Sequence, residues 1–296
     1  MLPDTSTISW PALPQGNRGL PEVLEVDITI LGAGIHGCAL ARELTLRGIS
    51  CAVVDKGAIA GGTSQWSSQL LHGGIRYLLT GDIRQMREGL AERATWARIA
   101  PWRVTWESFW MPHHGFFEGL SQRFGIGLYD HWGSDRPGWP ESLQLGGVPR
   151  PTFERDPRSK GAPFSGATAY ADLLTWDQHL VRDLAASSTA TWFDFHEVES
   201  FEDEGNQLNT ARIRDRRDGT LRRLKAKRWV FALGPWMDGA LQSWFHGPSQ
   251  RLRLSSGIHL WFDAVPGCER PWAIRRPEGR ILFVIPRDGM LQVGTT

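Results

Sequence analysis

Cysteine is scarce in this chain, and its scarcity excludes small scaffolds that depend on disulfide bonds. Three cysteines occur in 296 residues, an odd number without any C-x-x-C spacing. Disulfide frameworks and zinc sites usually show paired, closely spaced cysteines. Cys38, Cys51 and Cys268 are therefore expected to be reduced and structural, which is typical of a cytoplasmic protein.

An excess of charge and a long apolar run are also absent. The 33 Lys and Arg residues nearly balance the 32 Asp and Glu residues, so a nucleic-acid partner is not expected. No segment contains the roughly 20 consecutive apolar residues that a membrane-spanning helix needs. The sequence also lacks a Walker motif, a metal-ligand cluster and a Ser-His-Asp elbow, so no metal is expected.

The most informative stretch lies within residues 26–55. An apolar run at 26–31 leads into a glycine turn, a segment of helical period follows, and a second apolar run at 51–54 ends at Asp55. The turn reads Gly32-x-Gly34-x-x-Gly37. This order of strand, glycine turn, helix, strand and acid is the one that a Rossmann-like dinucleotide fold requires.

Each residue of this stretch has a physical role in binding a dinucleotide. Gly32 permits the tight turn, Gly34 lets a pyrophosphate approach the backbone, and Gly37 lets the helix pack close to the sheet. The helix N-terminus offers unpaired N–H groups to the phosphates. Asp55 is suited to accept hydrogen bonds from ribose hydroxyls. The alternative is an ordinary turn in an α/β domain.

A polar loop follows Asp55 and extends to Tyr77. It is rich in Gly, Ser and Thr, and a loop of this length in a compact unit is usually functional. The hydroxyls of Thr63, Ser64 and Ser67 are candidates to hold phosphate or ring edges, and a plain surface loop is the alternative. A second apolar strand running into a glycine turn occurs at 229–234 and ends at Gly234. It is expected to lie beside the first nucleotide-binding strand.

The rest of the chain predicts an α/β protein with a second, mostly antiparallel sheet. Helices are expected at 82–100 and 171–186, a strand at 190–201, and a hairpin at 208–231 with its turn at Asp218-Gly219. Residues 251–262, 280–286 and 290–296 alternate as antiparallel strands do. Apolar residues within 116–128 predict either an interfacial membrane segment or a core element of the second domain.

We expect three regions in the chain. Residues 1–25 contain four prolines and no apolar core of a signal peptide, so they are expected to form a mobile extension. Residues 26–101 and 164–245 are assigned to the dinucleotide-binding domain. Residues 102–163 and 246–296 are assigned to a substrate or cap domain, which we expect to be incomplete because the sequence stops at what looks like a strand end.

Several further motifs follow one another between Val26 and Thr296. They include GGTSQWSSQLLHGGIRYL, LYDHWG, FALGPWMD, RLRLSSGIHLWF and GRILFVIPRDG. Together with the nucleotide-binding stretch, these motifs resemble the FAD-dependent glycerol-3-phosphate dehydrogenases, within the broad group of flavoproteins similar to glycine oxidase and D-amino-acid oxidase. The segment from Ser64 to Tyr77 is far more specific than the glycine turn alone.

The resemblance implies a cofactor, a reaction and roles for particular residues. The cofactor is FAD, and the reaction is oxidation of sn-glycerol 3-phosphate to dihydroxyacetone phosphate, with electrons passed to quinone. The FAD contacts implied are Gly32, Gly34, Gly37, Asp55, Thr63, Ser64, Ser67 and Leu70, with Gly234 added from its glycine turn. Arg76 and Tyr77 match substrate-binding positions. His259 matches a histidine near the flavin and is the expected base, with His72 second.

Departures from the family pattern leave alternatives open. Gln69 stands where the family usually has lysine, His179 where it has arginine, and Ser256 where it has lysine. A flavin oxidase of an amino acid or another small metabolite is one alternative, since an arginine binds carboxylate as well as phosphate. An inactive, truncated flavoprotein-like chain is another. We expect a cytoplasmic protein, with peripheral contact to the inner face of the cytoplasmic membrane as a further expectation.

Overall fold

A computed structural model describes residues 21–75, 77, 81–132, 142–143, 164, 166–204, 207–247, 251–266, 268–276 and 279–295. The chain divides into two compact units. Unit 1 comprises residues 1–67 and 176–255, and unit 2 comprises residues 68–175 and 256–296. Most of the predicted N-terminal extension, residues 1–20, lies outside the described residues.

Five helices and fourteen strands occur in the described part of the chain. In order they are β1 (Val23–Leu31), α1 (Ile35–Leu46), β2 (Cys51–Val54), β3 (Leu70–Leu71), α2 (Ile83–Ile99), β4 (Val104–His113), α3 (Phe116–Trp132), β5 (Ser142–Leu143), β6 (Gly166–Thr175), α4 (Asp177–Ala186), β7 (Thr191–Phe193), β8 (His196–Glu204), β9 (Gln207–Asp215), β10 (Leu221–Phe231), α5 (Met237–Phe245), β11 (His259–Asp263), β12 (Trp272–Arg275), β13 (Ile281–Arg287) and β14 (Met290–Thr295).

Unit 1 contains a six-stranded sheet in the order β7-β2-β1-β10-β9-β8. The strands β7, β2, β1 and β10 pair in parallel, and β9 with β8 adds an antiparallel edge. All four residues of β2 are buried, as parallel strands covered on both faces require. The predicted Rossmann-like fold is confirmed, and so is the pairing of β10 with β1.

Unit 2 is formed around a larger sheet in the order β11-β14-β13-β12-β4-β6-β3, with β5 paired to β6. Neighbouring strands are antiparallel except for β12 and β4. Helices α2 and α3 contribute Leu90 and Tyr129 to a buried cluster with Phe109 and Phe283 of the sheet. The prediction of a second, mostly antiparallel sheet is therefore confirmed.

Three secondary-structure predictions are corrected. The strand expected at 251–262 begins only at His259, as β11. The helix expected at 171–186 is a strand up to Thr175, and α4 begins only at Asp177. Nearly every side chain of β6 is buried, so its sequence lacks the alternation that marks a half-exposed strand. The single strand expected at 190–201 is β7 followed by β8, because the chain turns at Phe195, whose φ is +54°.

The boundaries between the two units differ from the domain boundaries predicted from the sequence. Residues 68–101 and 164–175, assigned above to the dinucleotide-binding domain, belong to unit 2. The reason is the sheet: β6 pairs with β4 along ten residue positions, and β3 pairs with β6. Conversely, residues 246–255 belong to unit 1. Pairing between strands distant in sequence decides such boundaries.

Helix α3 contains the apolar segment at 116–128 and carries both buried and exposed apolar side chains. Ile126 is buried in the core of unit 2, as a core element would be. Phe116 and Phe117 are 77% and 83% exposed, and Leu120 and Phe124 are exposed beside them. None of the helices within the described residues is long and apolar enough to cross a membrane.

Candidate functional site

The glycine turn after β1 is shaped so that two of its positions admit no side chain. Gly32 has φ +107°, and a Cβ there would lie 2.4 Å from the carbonyl oxygen of Ala232. A Cβ at Gly37 would lie 1.8 Å from the carbonyl oxygen of Gly32. Helix α1 is therefore packed directly against the turn, and β10 is packed against it from the other side.

Asp55 follows β2 and reaches the glycine turn. Its Oδ2 accepts a hydrogen bond from the backbone N–H of Ala33 at 2.7 Å, and its Oδ1 accepts one from Gly57 at 2.8 Å. Because β1 and β2 are parallel, their carboxyl ends lie at the same edge of the sheet. Each carboxylate oxygen has a second lone pair, which leaves capacity for ribose hydroxyls.

The N-terminus of α1 meets a residue from the polar loop. Gly34 is the N-cap and provides no side-chain hydrogen bond. The Oγ of Ser64 instead accepts from the backbone N–H of Ile35 at 2.9 Å. A Cβ added at Gly34 would lie 3.2 Å from the same Oγ. The structure thus brings Ser64 to the N-terminus of α1, the end that the sequence predicts to bind phosphate.

The loop at 63–67 is fastened to the start of α4. Thr63–Gln65 forms a short 3-10 turn, and Ser67 Oγ hydrogen-bonds to the carboxylate of Asp177. Gln178 Nε2 donates to Gln65 Oε1 at 2.9 Å. Asp177 and Gln178 stand beside His179, in the stretch that departs from the family pattern, but the sequence did not predict that they contact this loop. A feature of the sequence that could have indicated them is their position, because they are polar residues in the first turn of a helix that directly follows a buried strand.

Gly234 lies just after β10 in unit 1, with φ +53°. The 3-10 turn that begins there carries Trp236, whose ring edge would lie 3.2 Å from a Cβ on Gly62. Lys56 Nζ lies 5.8 Å from the centroid of the same ring. The sequence predicted Gly234 but not Trp236, which covers the loop that follows Asp55.

The remaining predicted residues belong to unit 2. Leu70 begins β3 and packs against the buried cluster of that unit. His72 Nδ1 accepts a hydrogen bond from the backbone N–H of Gly74 at 3.1 Å. This requires an unprotonated Nδ1, so the neutral His72 carries its proton on Nε2. The ring of Tyr77 lies against Gly74, where a Cβ would be 2.4 Å from its Cδ2. Arg76 lies outside the described residues.

His259 is the first residue of β11 and pairs with Gly294 of β14. A Cβ at Gly294 would lie 2.1 Å from the Cδ2 of His259, so the imidazole rests directly on that backbone. Partial burial lowers the pKa of His259 below its usual 6.5. The imidazole is therefore neutral at neutral pH, the form that accepts a proton.

Gln69 and Arg287 form a buried pair in unit 2 that sequence reasoning missed. Arg287 Nη1 donates to Gln69 Oε1, and also to the carbonyl oxygen of Thr175 at 2.9 Å. Gln69 has φ +58°, a left-handed conformation that is uncommon outside glycine. The Gln69 side chain accepts a hydrogen bond from the buried guanidinium of Arg287, whereas the positive charge of a lysine at position 69 would repel it.

Comparison with known proteins decides the family. A model described as FAD dependent oxidoreductase matches residues 27–296. The chain belongs to this family. It is 30% identical over 280 residues to the aerobic glycerol-3-phosphate dehydrogenase of Staphylococcus aureus strain USA300, a match that spans 92% of this chain and 50% of the relative. The chain thus spans about half the length of the curated relatives it matches.

Solved structures agree on the fold. A glycerol-3-phosphate dehydrogenase from Bacillus halodurans complexed with FAD superposes with a TM-score of 0.61 at 24% identity, covering 92% of this chain and 47% of that one. An L-amino acid deaminase from Proteus vulgaris gives the same TM-score at 17% identity, covering 96% of this chain and 63% of that one. Such distant likenesses show the fold and leave the substrate open.

The residues of unit 1 fit the dinucleotide that the family binds. The glycine turn excludes side chains, α1 presents its N-terminus there, and an acid stands at the end of β2. These features satisfy the requirements of pyrophosphate and ribose recognition. The chain thus belongs to the family of FAD-dependent oxidoreductases, and the local geometry of unit 1 agrees with that assignment.

Proposed function

We propose that this protein oxidises sn-glycerol 3-phosphate to dihydroxyacetone phosphate. The observation that carries the proposal is the 30% identity to an aerobic glycerol-3-phosphate dehydrogenase over 280 residues, together with an intact dinucleotide turn. The flavin of bound FAD accepts a hydride. The protein's own task is then to bind the phosphate, orient the C2–H bond and remove the proton of the C2 hydroxyl.

The residues proposed to hold FAD lie mostly in unit 1. The glycine turn and the N-terminus of α1 are proposed to bind the pyrophosphate, and Asp55 the ribose. Ser64 is proposed to exchange its hydrogen bond with Ile35 for one to the cofactor, since its hydroxyl occupies a phosphate-binding N–H. The remaining proposed contacts are Thr63, Ser67, Leu70 and Gly234.

The proton of the C2 hydroxyl is proposed to pass to His259. Its lowered pKa keeps the imidazole neutral and able to accept, whereas Nδ1 of His72 is already engaged by Gly74. This makes His259 the better base and His72 the second candidate. Arg76 and Tyr77 are proposed to bind the substrate phosphate, because a guanidinium makes paired, charge-assisted bonds to such an anion.

The proposed electron acceptor is a quinone, and the proposed location is the cytoplasm with peripheral membrane contact. The exposed apolar face of α3 supports the contact, since aromatic side chains favour the interface of a bilayer. Flotation with liposomes tests it: the flavoprotein should float with the vesicles, and a double variant, Phe116→Ser with Phe117→Ser, should not. Equal flotation of the two proteins would exclude α3 as the contact.

A substrate panel tests the reaction itself. The purified flavoprotein should reduce an artificial electron acceptor with sn-glycerol 3-phosphate and should not do so with glycerol or with amino acids. Turnover with amino acids alone would favour the alternative, an oxidase of an amino acid or another small metabolite. Bound FAD without turnover of any substrate would favour a flavoprotein-like chain without catalysis.

A further inference from the structure

A cluster of charged and hydroxyl side chains is buried in unit 2, beneath residues 72–74. Arg93 of α2 is 3% exposed and forms an ion pair with Asp172 of β6, which is 2% exposed. Tyr129 of α3 is fully buried, and its hydroxyl donates to Asp172 Oδ1 at 2.8 Å. Arg93 also donates to the carbonyl oxygen of Ala171 at 2.9 Å. Three elements distant in sequence thus share one polar network.

This network ends on the backbone of the histidine-glycine loop. The Tyr129 hydroxyl accepts a hydrogen bond from the N–H of Gly73 at 2.9 Å, and Asp172 Oδ1 lies 3.4 Å from the same nitrogen. Burial and the neighbouring carboxylate raise the pKa of Tyr129 well above its usual value, so the hydroxyl keeps its proton and can donate and accept at once. Buried charges are costly unless they are paired, and here Arg93 and Asp172 pair with each other.

Helix α2 confines the loop from a second direction. A Cβ at Gly89 would lie 3.0 Å from the carbonyl oxygen of Gly73. A Cβ at Gly73 would lie 2.3 Å from Leu90 Cδ2 and 2.6 Å from the Tyr129 hydroxyl. Gly73 is therefore in direct contact with α2 and α3, and no room remains for the loop to shift toward them.

The fixed glycine in turn places two predicted site residues. Gly74 N–H donates to His72 Nδ1, and Tyr77 N–H donates to the carbonyl oxygen of Gly74 at 2.8 Å. The Tyr77 ring rests against Gly74. A movement of Gly73 would therefore displace both His72 and Tyr77.

We propose that Tyr129, held by the Arg93–Asp172 ion pair, is a positioning residue that fixes the loop carrying His72 and Tyr77 for recognition of the substrate anion. The inference rests on the proposed function for the identity of that anion. Tyr129 is not among the residues proposed to contact substrate or cofactor. It acts through the backbone of Gly73.

The test compares two tyrosines of the same buried cluster. Tyr129→Phe removes the hydroxyl that holds Gly73. Tyr170→Phe is the matched control, because the Tyr170 hydroxyl is equally buried and makes no hydrogen bond to any described residue. Hydrogen–deuterium exchange of the peptide that contains Gly73 should be faster in Tyr129→Phe and unchanged in Tyr170→Phe.

Kinetics of the flavin-loaded protein supply the second readout. Tyr129→Phe should raise the KM for sn-glycerol 3-phosphate about tenfold with a smaller change in kcat, because the site that receives the anion is displaced. Tyr170→Phe should keep both constants. If Tyr129→Phe exchanges like Tyr170→Phe, or exchanges faster without a change in KM, the positioning role is wrong.

A second pair of variants tests the loop without relying on Tyr129→Phe, which would fail as a test if that variant did not fold. The first variant changes a residue of α2 that faces the loop. Gly89→Ala pushes a methyl group toward the carbonyl of Gly73 and should also raise the KM. Gly127→Ala in α3 meets no atom within 4 Å and serves as its control. If the wild-type flavoprotein does not oxidise sn-glycerol 3-phosphate, the proposed reaction fails, and the exchange experiment alone decides whether Tyr129 fixes the loop.

Discussion

Single residues in unit 1 are proposed to determine whether a dinucleotide binds. Gly32 combines a positive φ with a contact distance that excludes any Cβ. Asp55 is fixed by two backbone N–H groups and cannot swing away without losing both bonds. The tight turn at Gly32 and the close packing at Gly37 are local to a short stretch of sequence, which is why the pattern of glycines predicted them. The ribose contact of Asp55 stays a prediction.

Gly32→Ala should abolish FAD binding and lower the free energy of unfolding by about 2–3 kcal/mol, because the methyl group meets the carbonyl of Ala232. Gly48→Ala is the control, since Gly48 also has a positive φ of +73° but faces open space. It should cost about 1 kcal/mol and retain the flavin. Thermal denaturation and flavin content measure both effects. Full flavin occupancy in Gly32→Ala would contradict the role of the turn.

His259 should control the acid limb of the pH profile. Its pKa is lowered by burial, and the neutral imidazole is the active form, so kcat/KM should fall as pH drops through that lowered pKa. In His259→Gln the limb should vanish and kcat should fall by about 10²–10⁴-fold. The measurement is kcat/KM of the wild type and of His259→Gln from acid to neutral pH. An unchanged limb in the variant would assign the base to another residue.

Arg76→Lys should keep the flavin and raise the KM for sn-glycerol 3-phosphate, since a point charge replaces a planar fork that makes paired bonds. Arg76 lies outside the described residues, so this prediction rests on the sequence motif. The steady-state KM of the purified variant is the measurement. Kinetic constants equal to those of the wild type would remove Arg76 from the substrate site.

At the scale of elements, hydrogen bonds to the start of α4 hold part of the polar loop that follows Asp55. Ser67 contacts Asp177, and Gln65 contacts Gln178. Sequence reasoning found the loop but missed its partners, because they lie more than a hundred positions away. The same limit explains Tyr129, Arg93 and Asp172. Each occurs on a different element, and although Tyr129 lies in the LYDHWG motif, nothing local in the sequence shows that the three side chains meet.

Removing the fastening of this loop should weaken FAD binding without disrupting the fold. Gln178→Ala deletes the bond to Gln65 and should raise the Kd for FAD several-fold, about 1 kcal/mol for one hydrogen bond. Gln242→Ala on α5 is a control far from the loop in sequence. Fluorescence titration of apoprotein with FAD measures both. Equal Kd values for the two variants would show that α4 does not order the loop.

At the scale of the whole molecule, the class of each unit was predictable and the boundary between the units was not. Parallel strands joined by a helix leave a periodic, local signal, which revealed unit 1. Strand β6 shows no such signal in the sequence, because it is buried on both faces and its residues do not alternate between apolar and polar. Because β6 pairs with β4, residues 164–175 belong to unit 2 and not to unit 1 as predicted. Neither the fold nor the periodicity of the sequence identifies the substrate. A dehydrogenase and a deaminase superpose on this chain with equal TM-scores.

Anaerobic reduction of the bound flavin tests the central claim most directly. Purified flavoprotein is mixed without oxygen with sn-glycerol 3-phosphate, and the visible absorbance of the flavin and the dihydroxyacetone phosphate formed are followed together. We predict bleaching of the flavin with one dihydroxyacetone phosphate per flavin, and no bleaching with glycerol or amino acids. A flavin that stays oxidised with sn-glycerol 3-phosphate but bleaches with an amino acid would contradict the proposed reaction.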